Sequence, residues 1–495
     1  MHIRLQRNAG VPIVKQIYQE IADRIRSGLL EEGALLPSVR TLSKQLNVSP
    51  MTTVRAYNQL ESDGYIVREQ GKGTFVKRTE KREEKQKRRL KSQEWQLSIP
   101  DYLPRAQYWR QQQLFQTDNL KLPLSVASIH PSLLPQQEFN REVQKLLQND
   151  STPLFQYGPI EGDLEFRKAA ANYLSSRNLS LKPEEILVTN GSQQAIDLIA
   201  RCFVGQGDVV VTEAPTYSTA IDVFRERGAT IIPIPVDQEG MRIDSLITLC
   251  DTHPPKVIYT IPDYQNPTGA VMSPRRRSQL LEIAQVCQSV IVEDDPWSET
   301  SFTETAPAPI KAQDQEGHVV YIKGFSKILS PGCRVGAAAA SGRLMDRLVA
   351  AKANADLGSP LLTQRAVASF IRSPQMPKHI KRLKTALKKR RNKVIELLSN
   401  YAPQHVTWTV PSGGINIWIT LPGTINADEL VYEAKKESLS FLPGSSCYPG
   451  QPEFHHLRIS YSYLEENQLE LGIRILCHIL SSSSAGTIAT RFPVF

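Results

Sequence analysis

Residues 77–94 read KRTEKREEKQKRRLKSQE: nine Lys/Arg and four Glu, with Leu90 the one large apolar side chain. Such a stretch has nothing to bury, so it can join no core and reads as a solvated linker with at most transient helix. It divides the chain, because whatever folds before Lys77 and whatever folds after it must each build a core of its own. A length of 495 residues points the same way, being too great for a single core. The expected division is 1–76, a charged linker over 77–119, a large domain over 120–480, and a loose tail (SSSSAGTIATRFPVF) over 481–495.

Composition excludes several classes. Hydrophobic content of 40% and charged content of 22% are ordinary for a soluble globular chain. No run of about 18 uncharged apolar residues offers a membrane span. The opening MHIRLQRNAGVPIVKQIYQE is charged early and lacks an apolar signal core, so a cytoplasmic protein is expected. The six cysteines (Cys202, Cys250, Cys287, Cys333, Cys447, Cys477) are far apart and form no C-x-x-C pair, which reads as reduced thiols. His455 and His456 are adjacent rather than at ligand spacing on a helix face, and no metal site is expected. The net charge of +9 is modest for this length, so its placement matters more than its sum.

In the first segment, Ile13, Ile17, Ile21 and Ile25 recur every fourth residue and predict one apolar helical stripe ending at Gly28. In LPSVRTLSKQLNVSPMTTVRAYNQLESDGY, Ser38 can cap a helix carrying Val39, Leu42 and Leu46. Asn47-Val48 makes a turn, and Ser49 can cap a second helix with Pro50 at its tolerated first position. On that helix Val54, Tyr57 and Leu60 are expected to face inward, and Gly64 to end it. YIVREQGKGTFV alternates around a glycine turn and predicts a hairpin. Two short helices and a hairpin describe a winged helix-turn-helix. Basic and hydroxyl residues fall where DNA would lie: Arg40 and Lys44 on the first helix, Ser49, Thr52, Thr53 and Arg55 on the second, Arg68 and Lys72 on the wing. Nearly end to end, the run from Leu36 to Val76 resembles the DNA-binding domain of GntR-family repressors. It departs at Pro50-Met51, where many members carry an arginine after the serine.

From about residue 120, short apolar runs (DVVV, KVIYT, SVIVE, HVVYI) alternate with amphipathic stretches, which predicts an α/β domain with a mostly parallel sheet. Turns follow strand-like runs at TNGSQQAIDLIA, IPDYQNPTGA, IVEDDPWSE and IKGFSK, and loops at the carboxyl ends of parallel strands are where open α/β sheets bind ligands. In their order these segments resemble the fold-type I, pyridoxal phosphate-dependent aminotransferases over roughly residues 120–480. The resemblance implies pyridoxal 5'-phosphate as cofactor, with Lys327 as the Schiff-base lysine. It places Gly191, Ser192 and Gln193 in the phosphate loop and Arg334 as the phosphate arginine. Tyr217 matches the aromatic stacked on the ring, Asn266 the partner of the ring hydroxyl, and Asp294 the partner of the pyridinium nitrogen. Arg458 matches the clamp for a substrate carboxylate, and Tyr157 a tyrosine that reaches the phosphate of a neighbouring subunit. Two positions depart from the pattern: Gly324 stands where serine or threonine is usual, and Trp297 where tyrosine is frequent.

A GntR-like winged helix, a charged linker and an aminotransferase-like domain together resemble the MocR-type regulators. That implies a transcription regulator that binds operator DNA as a head-to-tail homodimer and senses pyridoxal phosphate or an amino acid or amine. The alternatives are a working aminotransferase with an accessory DNA-binding domain, and a regulator whose large domain only dimerises.

Overall fold

The computed structural model describes residues 5, 12–26, 30–31, 33–69, 71–77, 121–303 and 306–486. The chain divides into two compact units, Met1–Asp101 and Tyr102–Phe495. Apart from Lys77, the expected linker over 77–119 lies outside the described residues, as do residues 487–495.

In the first unit, helix α1 (Ile13–Arg26) buries Ile17 and Ile21 completely, while Ile13 and Ile25 pack at the edge of the same cluster. After strand β1 (Leu35–Leu36), Ser38 accepts from the Thr41 amide at 3.1 Å and starts α2 (Val39–Leu46). Asn47, with φ 51°, ends α2 in the left-handed conformation that asparagine tolerates. Ser49 then accepts from the Thr52 amide at 3.1 Å and starts α3 (Pro50–Ser62). The hairpin of β2 (Ile66–Glu69) and β3 (Gly73–Val76) completes a three-stranded sheet in the order β1-β3-β2. This is a winged helix-turn-helix. One detail differs from expectation: α3 buries Thr53, Ala56, Tyr57 and Leu60, and Val54 is half-buried. The spacing 53, 56, 57, 60 is one helical face, so Thr53 belongs to the core stripe despite its hydroxyl.

In the second unit, β4 (Leu122–Pro123) precedes an eight-stranded sheet. Its strands are β5 (Ile186–Thr189), β6 (Val209–Ala214), β7 (Thr230–Asp237), β8 (Gly240–Met241), β9 (Val257–Thr260), β10 (Val290–Asp295), β11 (Val319–Gly324) and β12 (Gly336–Ala339). The spatial order is β5-β12-β11-β10-β9-β6-β7-β8, with β12 antiparallel to both neighbours, β8 antiparallel to β7, and the remaining pairs parallel. Alternate residues enter different cores: Val210, Tyr259, Val292 and Val320 one side, Val211, Ile258, Ile291 and Val319 the other. Burial on both faces explains why these strands read as continuous apolar runs. A smaller antiparallel sheet is formed by β13 (Thr407–Trp408), β14 (Asn416–Thr420), β16 (Leu442–Pro443) and β17 (His456–Ser460), and β15 (Leu439–Ser440) pairs with β4.

The loose tail expected from Ser481 is corrected over its first residues, since the last helix runs Glu466–Gly486. Buried Leu476, Ile479 and Leu480 anchor it. Ser481, Ser482 and Ser483 donate to the carbonyls of Cys477, His478 and Ile479 at 2.9, 3.0 and 3.0 Å, so these hydroxyls are satisfied within the helix that the apolar side chains hold in place.

Candidate ligand pocket and nucleic-acid face

Five strands of the large sheet deliver side chains to one place. Beyond β5 lie Gly191, Ser192 and Gln193; beyond β6, Tyr217; beyond β9, Asn266; at the end of β10, Asp294; beyond β11, Lys327. The small sheet adds Arg458 from β17. Ser192, Gln193, Tyr217, Asn266, Asp294, Lys327, Arg334 and Arg458 line a single cavity of about 750 Å³. Gly191 stands at its edge, against Arg334. Tyr157 is not brought into it and is 86% exposed.

The segment IKGFSK holds two lysines, and their surroundings give them different chemistry. Lys323 on β11 is fully buried, with Nζ 2.6 Å from Glu299, 3.2 Å from Asp295 and 2.9 Å from the Ser298 hydroxyl. Burial alone would lower its pKa, but these two carboxylates raise it, so it is a fixed cation. Lys327, four residues on, donates to the Ala127 carbonyl at 2.8 Å. Burial, then Arg458, then Arg334, lower its pKa to about 8. Lys327 is therefore the lysine with an accessible neutral, nucleophilic form near neutral pH.

A similar division separates Asp294 from Asp295. Asp295 faces away from the cavity: burial would push its carboxyl up, but Lys323 and Arg177 hold it well below the ordinary carboxylate range. Asp294 faces the cavity; burial raises it to about 7, against a 2.8 Å hydrogen bond donated by Tyr259 and with a further push from Asp295. Its Oδ1 is buried and has no hydrogen-bond partner. An orphaned, buried carboxyl oxygen is what a cationic ring N–H would satisfy.

At the opposite wall, the helix Ser192–Phe203 begins with Gly191 at φ 86°. A Cβ on Gly191 would stand 2.7 Å from Arg334 Nη2, so only glycine lets the loop close on the arginine. Arg334 donates to the Asn190 carbonyl at 3.0 Å and lies beside the amides of that helix start, a corner suited to a phosphate. The departure at Gly324 has a steric counterpart here, because a Cβ there would meet Ser192 Oγ at 2.7 Å. Ser192 occupies the space that a side chain at 324 would use.

Two further walls complete the cavity. Asn266 Oδ1 accepts from Arg458 Nη1 and from Asn416 Nδ2, each at 3.3 Å, leaving the Asn266 amide to donate inward. Arg458 also donates to the Ser125 carbonyl. Trp297 is buried, its indole N–H has no partner, and its ring centroid is 5.9 Å from Lys327 Nζ. Tyr217 donates to Gln193 Oε1 at 3.3 Å. Tyr259 and Asn416 carry no motif in the sequence; the register of β9 against β10 brings Tyr259 to Asp294, and the packing of the small sheet against the loop after β9 brings Asn416 to Asn266.

In the winged helix, Arg40, Lys44, Ser49, Arg55, Arg68 and Lys72 are exposed and Thr52 is half-buried. Thr53 is fully buried, which removes it from the candidate DNA contacts. Ser49 is committed to its cap, with Oγ also 2.8 Å from Thr52 Oγ1. Arg68 bonds Asn58 Oδ1 at 2.7 Å and pairs with Glu61 at 3.4 Å, and Lys72 pairs with Glu69 at 3.3 Å. Among the described residues Arg40, Lys44 and Arg55 form no ion pair, and they stay open to a phosphate.

Residues 131–476 match the aminotransferase class I and II family, and residues 13–76 the gntR family of bacterial regulatory proteins. Among curated proteins, the chain is 30% identical over 474 residues to the uncharacterized HTH-type transcriptional regulator YisV of Bacillus subtilis, covering 94% of this chain and 96% of that one. It is 33% identical to aromatic-amino-acid aminotransferase 1 of Thermococcus litoralis, over 71% of this chain and 85% of the relative. Among solved structures, the kynurenine aminotransferase of Pyrococcus horikoshii superposes with a TM-score of 0.73 at 31% identity, covering 76% of this chain and 94% of that one. The match to the regulator, at 94% of this chain, is too long to lie within residues 131–476 alone. The chain belongs to the class I and II aminotransferase family and carries a gntR-family DNA-binding unit ahead of that domain, the two-part architecture of MocR-type regulators.

Proposed function

We propose that the large unit holds pyridoxal 5'-phosphate on Lys327, and that the chain is a homodimeric DNA-binding transcription regulator that senses this cofactor or an amino compound reacting at it. The observation that carries the reading is the cavity itself. A lysine with its pKa lowered to about 8 by burial and two arginines lines it together with a buried aspartate that has an unpartnered oxygen. When bound, the cofactor supplies an aldehyde for an amine and a protonated ring that accepts electrons.

The protein groups have separate tasks. Lys327 offers its neutral amine. Arg334 and the amides at Ser192 and Gln193 hold the phosphate dianion. Asp294 keeps a proton on the ring nitrogen, Asn266 donates to the ring hydroxyl, and Tyr217 covers the ring face. Arg458 takes the carboxylate of an amino acid effector. Tyr157, exposed and outside the cavity, serves the phosphate of a second copy, which is why the reading includes a homodimer. On the winged helix, Arg40, Lys44 and Arg55 contact operator phosphates, with Thr52, Ser49, Arg68 and Lys72 beside them.

The same residues would also serve transamination, so the chain is an enzyme if amino acids and 2-oxo acids are turned over repeatedly. The primary test is spectroscopic. The desalted chain, loaded with pyridoxal phosphate, should keep a visible absorbance band, and borohydride reduction should fix the cofactor's mass on the peptide carrying Lys327. Lys327→Ala should lose both signals completely. A variant that keeps the band and the fixed mass overturns the assignment.

A further inference from the structure

Beside the cavity, a second group of side chains converges with no role in cofactor or DNA binding. Glu453, His455 and His456 place one ligand atom each within 4.8 Å of one another. His456 Nε2 is 3.0 Å and His455 Nε2 3.7 Å from the same Glu453 oxygen. Two imidazole nitrogens and a carboxylate oxygen bound to one tetrahedral ion at 2.0–2.2 Å would stand about 3.3 Å apart, and the two observed edges bracket that value.

The groups behind them are arranged as a metal site requires. His456 Nδ1 lies 3.1 Å from Thr420 Oγ1, and with Nδ1–H donating there the Nε2 lone pair faces Glu453. Tyr448 donates to the same carboxylate at 3.1 Å, which fixes its orientation. Trp418 stacks on the His456 ring at 5.1 Å and 21°, locking its plane. The outer side is open, with Glu453 and His455 side chains 50% and 38% exposed and His456 12%. An ion can enter from solvent and keep a water as its fourth ligand.

We propose that Glu453, His455 and His456 form a binding site for a borderline divalent cation, of which Zn²⁺ is the type. The donor set selects that class, since imidazole suits zinc, nickel and cobalt while magnesium and calcium prefer all-oxygen cages. The ion ties the loop after Tyr448 to the start of β17. Cys447 at one end of this segment and Arg458 at the other both line the cavity, so an occupied site restrains two of its walls. The site stands independently of the cofactor assignment.

The test uses the untagged full chain, stripped with chelator and titrated with Zn²⁺ by calorimetry and with Co²⁺ by absorbance. One ion per chain is expected, with cobalt bands of nitrogen and oxygen ligation. Glu453→Gln and His455→Ala should each weaken binding more than tenfold, and both side chains are exposed enough to be replaced without disturbing a core. Thr420→Val, which leaves every ligand in place, should weaken it roughly 10–100-fold by removing the histidine's hydrogen-bond partner. Binding unchanged in Glu453→Gln and His455→Ala overturns the proposal, as does a titration that reaches no stoichiometric end point. Intense thiolate-to-cobalt bands also overturn it, by placing the ion on cysteine thiols.

Discussion

Around Lys327 the charged groups are few, buried and shaped by one another, whereas on the winged helix Arg40, Lys44 and Arg55 stand in solvent. On the proposed reading both regions take phosphate, yet they gain from it differently. In the cavity, desolvation is the leading influence: it lowers Lys327 to about 8 and raises Asp294 to about 7, so each group is poised between two protonation states. A ligand that supplies the missing charge changes the whole set. On the winged helix each cation is already hydrated, and in the proposed DNA complex it acts through release of counterions from the duplex. Chemistry needs the first arrangement; reversible, salt-sensitive attachment needs the second.

The largest effect expected from this contrast is on salt dependence. Lys44→Ala and Arg55→Ala should each reduce the slope of log K against log salt by about 0.9 for every phosphate left unneutralised. Each should also weaken operator binding about fivefold per such phosphate near 0.15 M salt. Fluorescence anisotropy with an operator duplex over a salt series measures both quantities. Wild-type slopes in both variants would mean that these cations do not touch phosphate. Arg68→Ala should have the smaller effect, because Arg68 is already held by Asn58 and Glu61.

A smaller effect is expected within the cavity. The rate at which the cofactor-free chain takes up pyridoxal phosphate should follow the neutral fraction of Lys327, rising with pH and levelling above about 8. A lowered lysine pKa reflects a disfavoured cation, so removing a neighbouring positive charge raises it again. Arg458→Gln should therefore move the profile to higher pH. The move is only part of the whole displacement, because burial is the leading cause and Arg458 the second. Stopped-flow absorbance at a series of pH values reads it. A profile that does not move would show that Arg458 does not act on the amine.

How much of this was legible in the sequence depended on the range of the interaction involved. The caps at Ser38 and Ser49, the turn at Asn47-Val48 and the wing rest on neighbours within a few residues, and spacing alone reveals them. The strands of the large sheet read as apolar runs because both faces are covered. The distinction between Lys323 and Lys327 was carried by family resemblance, while its physical cause, the placing of Asp295 and Glu299 beside one lysine only, is a matter of tertiary packing. Tyr259 behind Asp294 depends on strand register. The convergence of Glu453, His455 and His456 depends on how the loop before β17 folds back, and a test for helical ligand spacing could not detect it.

Thr53 is the instructive error, and it sets the smallest effect. Its hydroxyl suggested a DNA contact beside Thr52, but the phase of Ala56, Tyr57 and Leu60 carries it inward. There its Oγ1 is buried with no hydrogen-bond partner. A buried, unpartnered hydroxyl costs about 1–3 kcal/mol relative to an apolar group of the same shape. Valine has that shape and keeps the branched Cβ that α3 already accommodates. Thr53→Val should thus leave operator affinity unchanged and slow hydrogen exchange across residues 13–76 of the full chain, consistent with a gain of about 1 kcal/mol. Thr52→Val is the matched control: half-buried at the start of α3, it gives up the 2.8 Å hydrogen bond with Ser49 Oγ and a hydroxyl open to phosphate, and should weaken DNA binding without slowing exchange. If Thr53→Val instead weakens operator binding while exchange stays the same, α3 must turn in the complex to present Thr53 outward, and its division into a core face and a DNA face would be wrong.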